Sequence, residues 1–378
     1  MRIALINTAR ENGIYPMGLM KISSWQKSLG NQCVLFNRKL PQAGDFDEIW
    51  ISTLFTFENK IQIALVKQAK EICNVVRVGG ISATLMPEQF ERLGAIVHRG
   101  IIPDAEEFPI DYSILARPPD YSILRTTRGC SRKCGFCAVR ILEPEYFVRG
   151  DSTCDISETG KHVLFFDNNW LAKGSALVKK DIATLRELIA DGRIKSVDFN
   201  QGLDARLMTD DIAKAMRGLP IKPVRFAFDG MHEDGHVQRA TEMMVRHAGL
   251  KDFMNYVLYN FTDTPEDFWY RLREHSRMSE ELGVRCTAFP MRFQPILDAD
   301  TGRNHVGKHW TEKKKRGFMS ILNQQSINGQ VSISKVKDFE YWFTDSAEKF
   351  SALLAWDRVG EYSDKKAGAL RMKRMGIQ

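Results

Sequence analysis

Cys130, Cys134 and Cys137 fall within eight residues, CSRKCGFC, at the spacing C-x3-C-x2-C. Thiolates are the ligands iron–sulfur clusters prefer, and a short loop can wrap several of them around one cluster. Three local thiols on a four-iron cluster leave one iron open to an exogenous ligand. Arg128, Arg132, Lys133 and Arg140 stand around the loop in sequence. Their charge would help hold thiolates deprotonated and offset an anionic cluster. The alternative is a structural zinc site with Cys154 or a histidine as fourth ligand. Such sites usually come as two paired knuckles, and no second C-x2-C is present. The other thiols, Cys33, Cys73, Cys154 and Cys286, are scattered, and Cys33 and Cys73 read as small buried apolar residues. An odd total of seven does not suit a secreted disulfide framework, so a reducing, cytoplasmic setting is expected.

The cysteine loop directly follows an apolar run, Ser122–Thr126, the first of six. The others are His162–Asp167, Ser196–Asn200, Val224–Asp229, Asn255–Asn260 and Val284–Pro290. They start roughly every thirty to forty residues, with helical stretches such as 179–192 and 265–283 between them. The rhythm predicts a partial (β/α)6 barrel, smaller than the eight-unit one. In such barrels the chemistry sits at the carboxyl ends of the strands. Those ends here are polar or special: Asp167-Asn168-Asn169, Asn200-Gln201, Asp229 and the stretch containing Arg292. Arg206 follows soon after the third strand, with Asp204 as a candidate ion-pair partner. His232/His236 and His305/His309 are each four apart, a spacing that suits a second metal on a helix, but Gly235 and Gly307 weaken both helices.

Ahead of the barrel, residues 1–108 alternate short apolar runs with helical patterns. The runs are Arg2–Asn7, Gln32–Phe36, Glu48–Thr53, Asn74–Val78 and Ala95–His98. Met17, Met20, Trp25 and Leu29 lie close to one helical face, and Gly30 is a C-cap candidate. Alternating strands and helices predict an α/β, Rossmann-like domain with a parallel sheet. Gly79-Gly80 ends its fourth strand at the carboxyl edge, where open sheets of this kind bind ligands. A proline-rich linker at 109–121 follows, then the barrel at 122–305 and a basic, mainly helical extension at 306–378.

The chain has 378 residues, with 54 basic and 47 acidic side chains and a net charge of +7. Residues 308–378 hold 14 basic and 8 acidic side chains, so +6 of that sits in the extension. No apolar run approaches the roughly 20 residues that span a bilayer, which excludes a membrane-spanning helical protein. No long apolar signal segment opens the chain, so secretion is not expected.

With these residues in view, the chain resembles the radical S-adenosylmethionine (radical SAM) enzymes, in the branch with a cobalamin (B12)-binding-type front domain. The resemblance rests on C-x3-C-x2-C with an aromatic, Phe136, just before the third cysteine, and on its place after the first barrel strand. It implies that Cys130, Cys134 and Cys137 hold a [4Fe-4S] cluster whose open iron chelates S-adenosylmethionine. Reductive cleavage would then give a 5′-deoxyadenosyl radical that abstracts hydrogen from a C–H bond. It further implies cofactor contacts from Phe136, Asp167, Asn168, Asn169, Asn200, Gln201, Arg206, Asp229 and Arg292, and an external reductant such as flavodoxin or ferredoxin. Most of the family carries a Gly-Gly-Glu type motif after the second strand, where this chain has Phe166-Asp167-Asn168-Asn169.

The front domain's resemblance is carried by Tyr15-Pro16-Met17-Gly18-Leu19 and by VGGISATLMPE at 78–88, with Gly79 and Gly80 placed for close backbone approach to a ligand. Domains that give cobalamin a lower histidine carry Asp-x-His-x-x-Gly after the first strand. Here that loop reads NTARENGIYP, without histidine. Cobalamin would therefore bind without a His ligand, or the domain serves as a scaffold or substrate platform. A methylthiotransferase reading lacks the third front-domain cysteine. The leading expectation is a radical SAM enzyme on an unidentified substrate, and the basic extension suggests an anionic partner. A cobalamin-dependent methyltransferase is the alternative, and a non-catalytic, zinc- or cluster-stabilised nucleic-acid-binding protein is the reading from another class. The extension's basic charge, with Trp310, Phe318, Tyr341, Trp342, Phe343 and Trp356, suits either base stacking or a cap on the barrel.

Overall fold

β1 (Arg2–Asn7) carries four consecutive fully buried side chains, Ile3 to Ile6. An apolar run without alternation is the mark of a strand covered on both faces. In the computed structural model, which describes residues 1–9, 14–297, 304–325 and 328–356, that strand is an inner strand of a five-stranded sheet. Its neighbours are β2 (Gln32–Asn37) and β3 (Glu48–Thr53), and β4 (Val75–Gly80) and β5 (Ile96–Val97) extend the sheet beyond β3. Every pairing is parallel, with Ile3 opposite Cys33 and Glu48 in the register. Ala4 and Ile6 pack on one face with Val66 and Ala69 of the helix Asn59–Ile72. Ile3 and Leu5 pack on the other with Leu19 and Ile22 of the helix Met17–Ser28. The expected parallel α/β sheet is therefore present, with strand bounds within three residues of the apolar runs.

The chain divides into two compact units. The first is Met1–Asn168 with Arg193–Lys195 and Pro295–Asn304; the second is Asn169–Gly192, Ser196–Gln294 and His305–Gln378. The first unit continues past the sheet into β6 (Tyr121–Leu124), the short antiparallel pair β7 (Thr127–Arg128) and β8 (Phe147–Val148), and β9 (His162–Phe165), parallel to β6. Tyr15 stacks on Tyr121 with ring centroids 4.3 Å apart, and its hydroxyl accepts the Asp120 N–H at 2.7 Å. That fixes the segment entering the first helix against the start of β6.

The second unit holds β10 (Ser196–Asp198), β11 (Asp252–Tyr259) and β12 (Arg285–Arg292). β11 and β12 pair in parallel over eight residues. The run Val224–Asp229 forms isolated parallel bridges to β11 rather than a continuous strand. One cause is that the Phe226 N–H is taken by the Asn255 side chain at 3.1 Å. The helix Pro265–Leu282 starts on a capping box, Thr264 with Asp267, and ends at Gly283 in the left-handed region.

The helices Glu312–Gln325, Val336–Phe343 and Ala347–Leu354 make the extension mainly helical over its described part. Trp310, Phe318 and Phe343 are buried, and the first two pack around Tyr259 and Phe268. These three rings are core and are closed to base stacking. Six of the extension's basic residues, Arg358, Lys365, Lys366, Arg371, Lys373 and Arg374, lie outside the described residues. Among the described residues no helix is long and apolar enough to cross a membrane.

Candidate cluster loop and strand-end rim

The cysteine loop leaves β7 through Gly129, whose φ is +68°. A Cβ there would sit 1.9 Å from the Glu145 carbonyl oxygen and 3.0 Å from that of Glu143. Only glycine fits, because the returning segment 143–146 is pressed against it. Cys130, Cys134 and Cys137 form no disulfide, and all three are half-buried. The Cys130 sulfur accepts the Arg132 N–H at 3.3 Å, and the Cys137 N–H closes a turn on the Cys134 carbonyl at 3.1 Å. Among the described residues no three His, Cys, Asp or Glu side chains converge as single-ion ligands. A cluster asks for something else, one thiolate on each of three irons. The donor set fits it: three half-buried cysteines on one short loop, none in a disulfide, one already accepting a backbone N–H.

Glu143 holds the base of this loop. Its carboxylate accepts the Gly129 N–H at 2.7 Å and pairs with Arg125 at 3.0 Å and Arg128 at 2.9 Å. It also accepts the Asn168 side-chain amide at 3.1 Å. Arg128 pairs with buried Glu106 as well. The chain of charge continues through Arg149, Asp155 and Lys21, with Arg149 on Glu106 at 3.2 Å and on Asp155 at 3.0 Å. Lys21 meets Asp155 at 3.3 Å, and burial pulls the Lys21 ammonium below its usual range despite that partner. The expectation that Arg128 offsets a cluster's charge is thus altered: its guanidinium already faces two carboxylates.

Asp167 ends β9's strand run and is buried. It accepts the Thr126 N–H at 3.0 Å and the hydroxyls of Thr126 and Thr127, each at 2.7 Å. That ties the second strand end to the residues leading into the cysteine loop. Phe136 is half-buried within the loop. Tyr146 has a buried hydroxyl with no hydrogen-bond partner; burial, then the nearby Asp167 and Cys130, push its phenol up to about 12. At the front sheet's edge Gly80 has φ +101°, and a Cβ would meet the Thr53 carbonyl oxygen at 2.5 Å. The close backbone approach there is to the neighbouring strand, while Gly79 accepts the Thr53 hydroxyl at 2.9 Å.

In the second unit three of the expected rim residues share one network. The Asn169 amide donates to Asp204 at 3.2 Å, and Asp204 pairs with Arg206 at 2.7 Å. Arg206 reaches Glu233 at 3.5 Å, and Glu233 accepts the Asp229 N–H. The Asp229 carboxylate accepts the Leu258 N–H at 3.1 Å. Burial and the Glu233 carboxylate raise Asp229 to about 7. Burial raises Glu233 too. Asn200 presents its carbonyl to the Tyr256 hydroxyl at 2.6 Å, Gln201 is exposed, and Arg292 is half-buried. The histidine pairs do not share helices: Gly235 separates His232 from the helix His236–Met243, and residues 305–309 are irregular.

Sequence reasoning missed Glu143, Glu233 and Tyr146, and missed Arg271. Arg271 is fully buried behind the strand ends, donating to the Phe228 carbonyl at 2.9 Å, the Leu258 carbonyl at 2.8 Å and Asp263 at 3.2 Å. A signal existed for Arg271. It stands three residues after Phe268 and four before His275, on one buried helical face, where a charge must have partners.

No family model and no curated protein matches the chain by sequence. Solved structures do match its fold. A radical S-adenosylmethionine methyltransferase, TsrM, from Kitasatospora setae with cobalamin and a [4Fe-4S] cluster bound has a TM-score of 0.58 at 12% identity, over 77% of this chain and 72% of that one. The same methyltransferase with tryptophan substrate and the analogue aza-SAM bound gives 0.57 at 12% identity over the same shares. The chain has that fold.

Proposed function

We propose that this chain, built on the fold of a cobalamin-binding radical SAM methyltransferase, is a radical SAM enzyme that holds a [4Fe-4S] cluster on Cys130, Cys134 and Cys137. The observation that carries the reading is the glycine-locked loop that brings three cysteines, none in a disulfide, together directly after β6 and β7. When bound, the cluster and S-adenosylmethionine supply reductive cleavage to a 5′-deoxyadenosyl radical for C–H chemistry. The chain's own part is positional. Glu143 and Gly129 set the loop's entry, and Asp167 locks its lead-in residues to the second strand end. For S-adenosylmethionine we carry over Phe136, Asp167 and Asn168 from the first unit. From the second we carry over Asn169, Asn200, Gln201, Arg206 and Asp229, and Arg292 is left to hold an anionic group.

A methyltransferase outcome is favoured over other C–H chemistry by the fold likeness to a protein with cobalamin bound. The chain offers cobalamin no histidine in its Asn7–Pro16 loop, part of which (10–13) lies outside the described residues. Gly79 and Gly80 then act at the sheet edge, and the corrinoid is held without a lower His ligand. We further propose the division into front domain 1–108, linker 109–121, barrel 122–305 and extension 306–378, a cytoplasmic setting, and flavodoxin or ferredoxin as electron donor.

Anaerobic reconstitution followed by dithionite and S-adenosylmethionine tests the enzyme reading. Cluster absorbance near ~400 nm, in the usual thiolate-to-iron region, and cleavage of S-adenosylmethionine are expected, and both should vanish in Cys134→Ala. No iron uptake by the wild type would overturn it. Purification with hydroxocobalamin tests the methyltransferase outcome, which fails if no corrin spectrum is retained.

A further inference from the structure

Arg292 is the last residue of β12, at the strand's carboxyl end. No hydrogen bond or ion pair joins its guanidinium to another described residue. It lines a cavity of about 310 Å³ together with Glu312, Lys315, Arg316, Ser320 and Asn323 of the helix Glu312–Gln325. That volume is at the lower end of small-molecule pockets, about 300–1,000 Å³.

The charges in this cavity do not balance. Among the described residues that line it, three cations face one carboxylate. Lys315 is buried, and its ammonium is committed to the His305 carbonyl at 2.6 Å and to Glu312 at 2.8 Å. Arg316 is 75% exposed and lies 3.9 Å from the other Glu312 oxygen. One carboxylate is therefore shared by a buried lysine and a loosely held arginine, and Arg292 has no share in a hydrogen bond to it. The Lys315 hydrogen bond, with Arg316 and Arg292 nearby, holds the Glu312 carboxyl below its ordinary range. The carboxylate is thus ionised at neutral pH, and the described lining keeps two positive charges in excess.

We propose that this cavity binds the oxyanion group, carboxylate or phosphate, of a small-molecule substrate, with Arg292 as the primary contact and Arg316 as the second. A free guanidinium presents a planar fork of N–H donors that fits two oxygens of such a group at once. Lys315 and Glu312 act as the fixed floor: they set the helix's position and do not need to move. Ser320 and Asn323, on the same helix, add neutral polar atoms to the lining. This deepens the enzyme reading above by naming the substrate's chemistry, and it rests on that reading only for the word substrate.

The test uses the full-length, anaerobically purified chain and inorganic phosphate as the probe. Thermal unfolding is followed with rising phosphate against chloride at matched ionic strength. Phosphate should raise the wild-type midpoint. Arg292→Gln should weaken phosphate at least about tenfold, the loss of one charged hydrogen-bonded contact. Arg316→Gln, on an exposed side chain that cannot disturb folding, should weaken it less. No rise over chloride, or an equal rise in both variants, overturns the proposal. Added S-adenosylmethionine that leaves bound phosphate in place supports a substrate site, whereas displacement of phosphate overturns that assignment. The readout needs neither cluster turnover nor S-adenosylmethionine cleavage, so its failure is distinguishable from failure of the enzyme reading.

Discussion

The Glu143 carboxylate accepts the backbone N–H of Gly129 at 2.7 Å, one residue ahead of Cys130. The same carboxylate faces Arg125 and Arg128, both largely buried. Glu143→Ala leaves two guanidiniums and an amide without their acceptor. Stability should fall by about 3 kcal/mol, the low end for breaking a buried pair. Iron bound after anaerobic reconstitution should fall with it. Urea unfolding and an iron assay check both, and Glu143→Gln should recover part of each because its amide oxygen still accepts the Gly129 N–H.

Gly129→Ala attacks the same point through the backbone. The added methyl would lie 1.9 Å from the Glu145 carbonyl oxygen, and the residue would be held at a φ of +68°. The left-handed conformation alone costs roughly 1–2 kcal/mol, and the clash adds to it. Gly150 is the control: nothing lies within 4 Å of its Cβ position. Gly150→Ala should stay within about 0.5 kcal/mol of wild type in urea. Iron uptake equal to wild type in Gly129→Ala would mean the loop tolerates a different entry.

The cysteine triplet, the parallel front sheet and most strand positions were legible because each rests on a local pattern. β1 reads as buried on both faces from ALI alone, and β11 from its apolar run. The partners were not legible. Asp204 with Arg206 was within reach because the two are only two residues apart in the chain. Glu143 with Gly129, and Glu233 with Arg206, join residues whose proximity depends on how loops fold back. The Phe226 N–H going to Asn255, which interrupts the expected fourth strand, is a side-chain choice that periodicity does not encode. Gly80 shows the opposite case. Its need for glycine was legible, but the reason lies in the Thr53 backbone of the next strand.

Arg271→Met probes the buried support under the strand ends. Arg271 is 0% exposed, and its guanidinium satisfies the Phe228 and Leu258 carbonyls and Asp263. The methionine fills most of the space but leaves Asp263 buried without its cation. A loss of about 3–5 kcal/mol in urea unfolding is expected. Adding Asp263→Asn removes the stranded charge, so the double variant should be more stable than Arg271→Met alone. Additive losses would show that the ion pair matters less than the two carbonyl contacts.

Asp229 makes stability depend on pH in a stated direction. Its carboxyl is raised to about 7 by burial and by Glu233, against about 3.9 in an unfolded chain. Between those values the folded chain keeps a proton that the unfolded chain has released. Its contribution to stability is therefore full below about pH 4, is lost as pH rises toward 7, and is constant above that. Asp229→Asn removes this titration. The variant should gain on wild type steadily from pH 4 to 7 in urea unfolding, and the gap should be flat above 7. Glu233 is raised as well, so Glu233→Gln should lower the Asp229 titration by removing the neighbouring negative charge, shifting the window toward acid. A wild-type minus Asp229→Asn difference independent of pH would show that Asp229 stays ionised throughout and that Arg206 and Arg271 outweigh its burial.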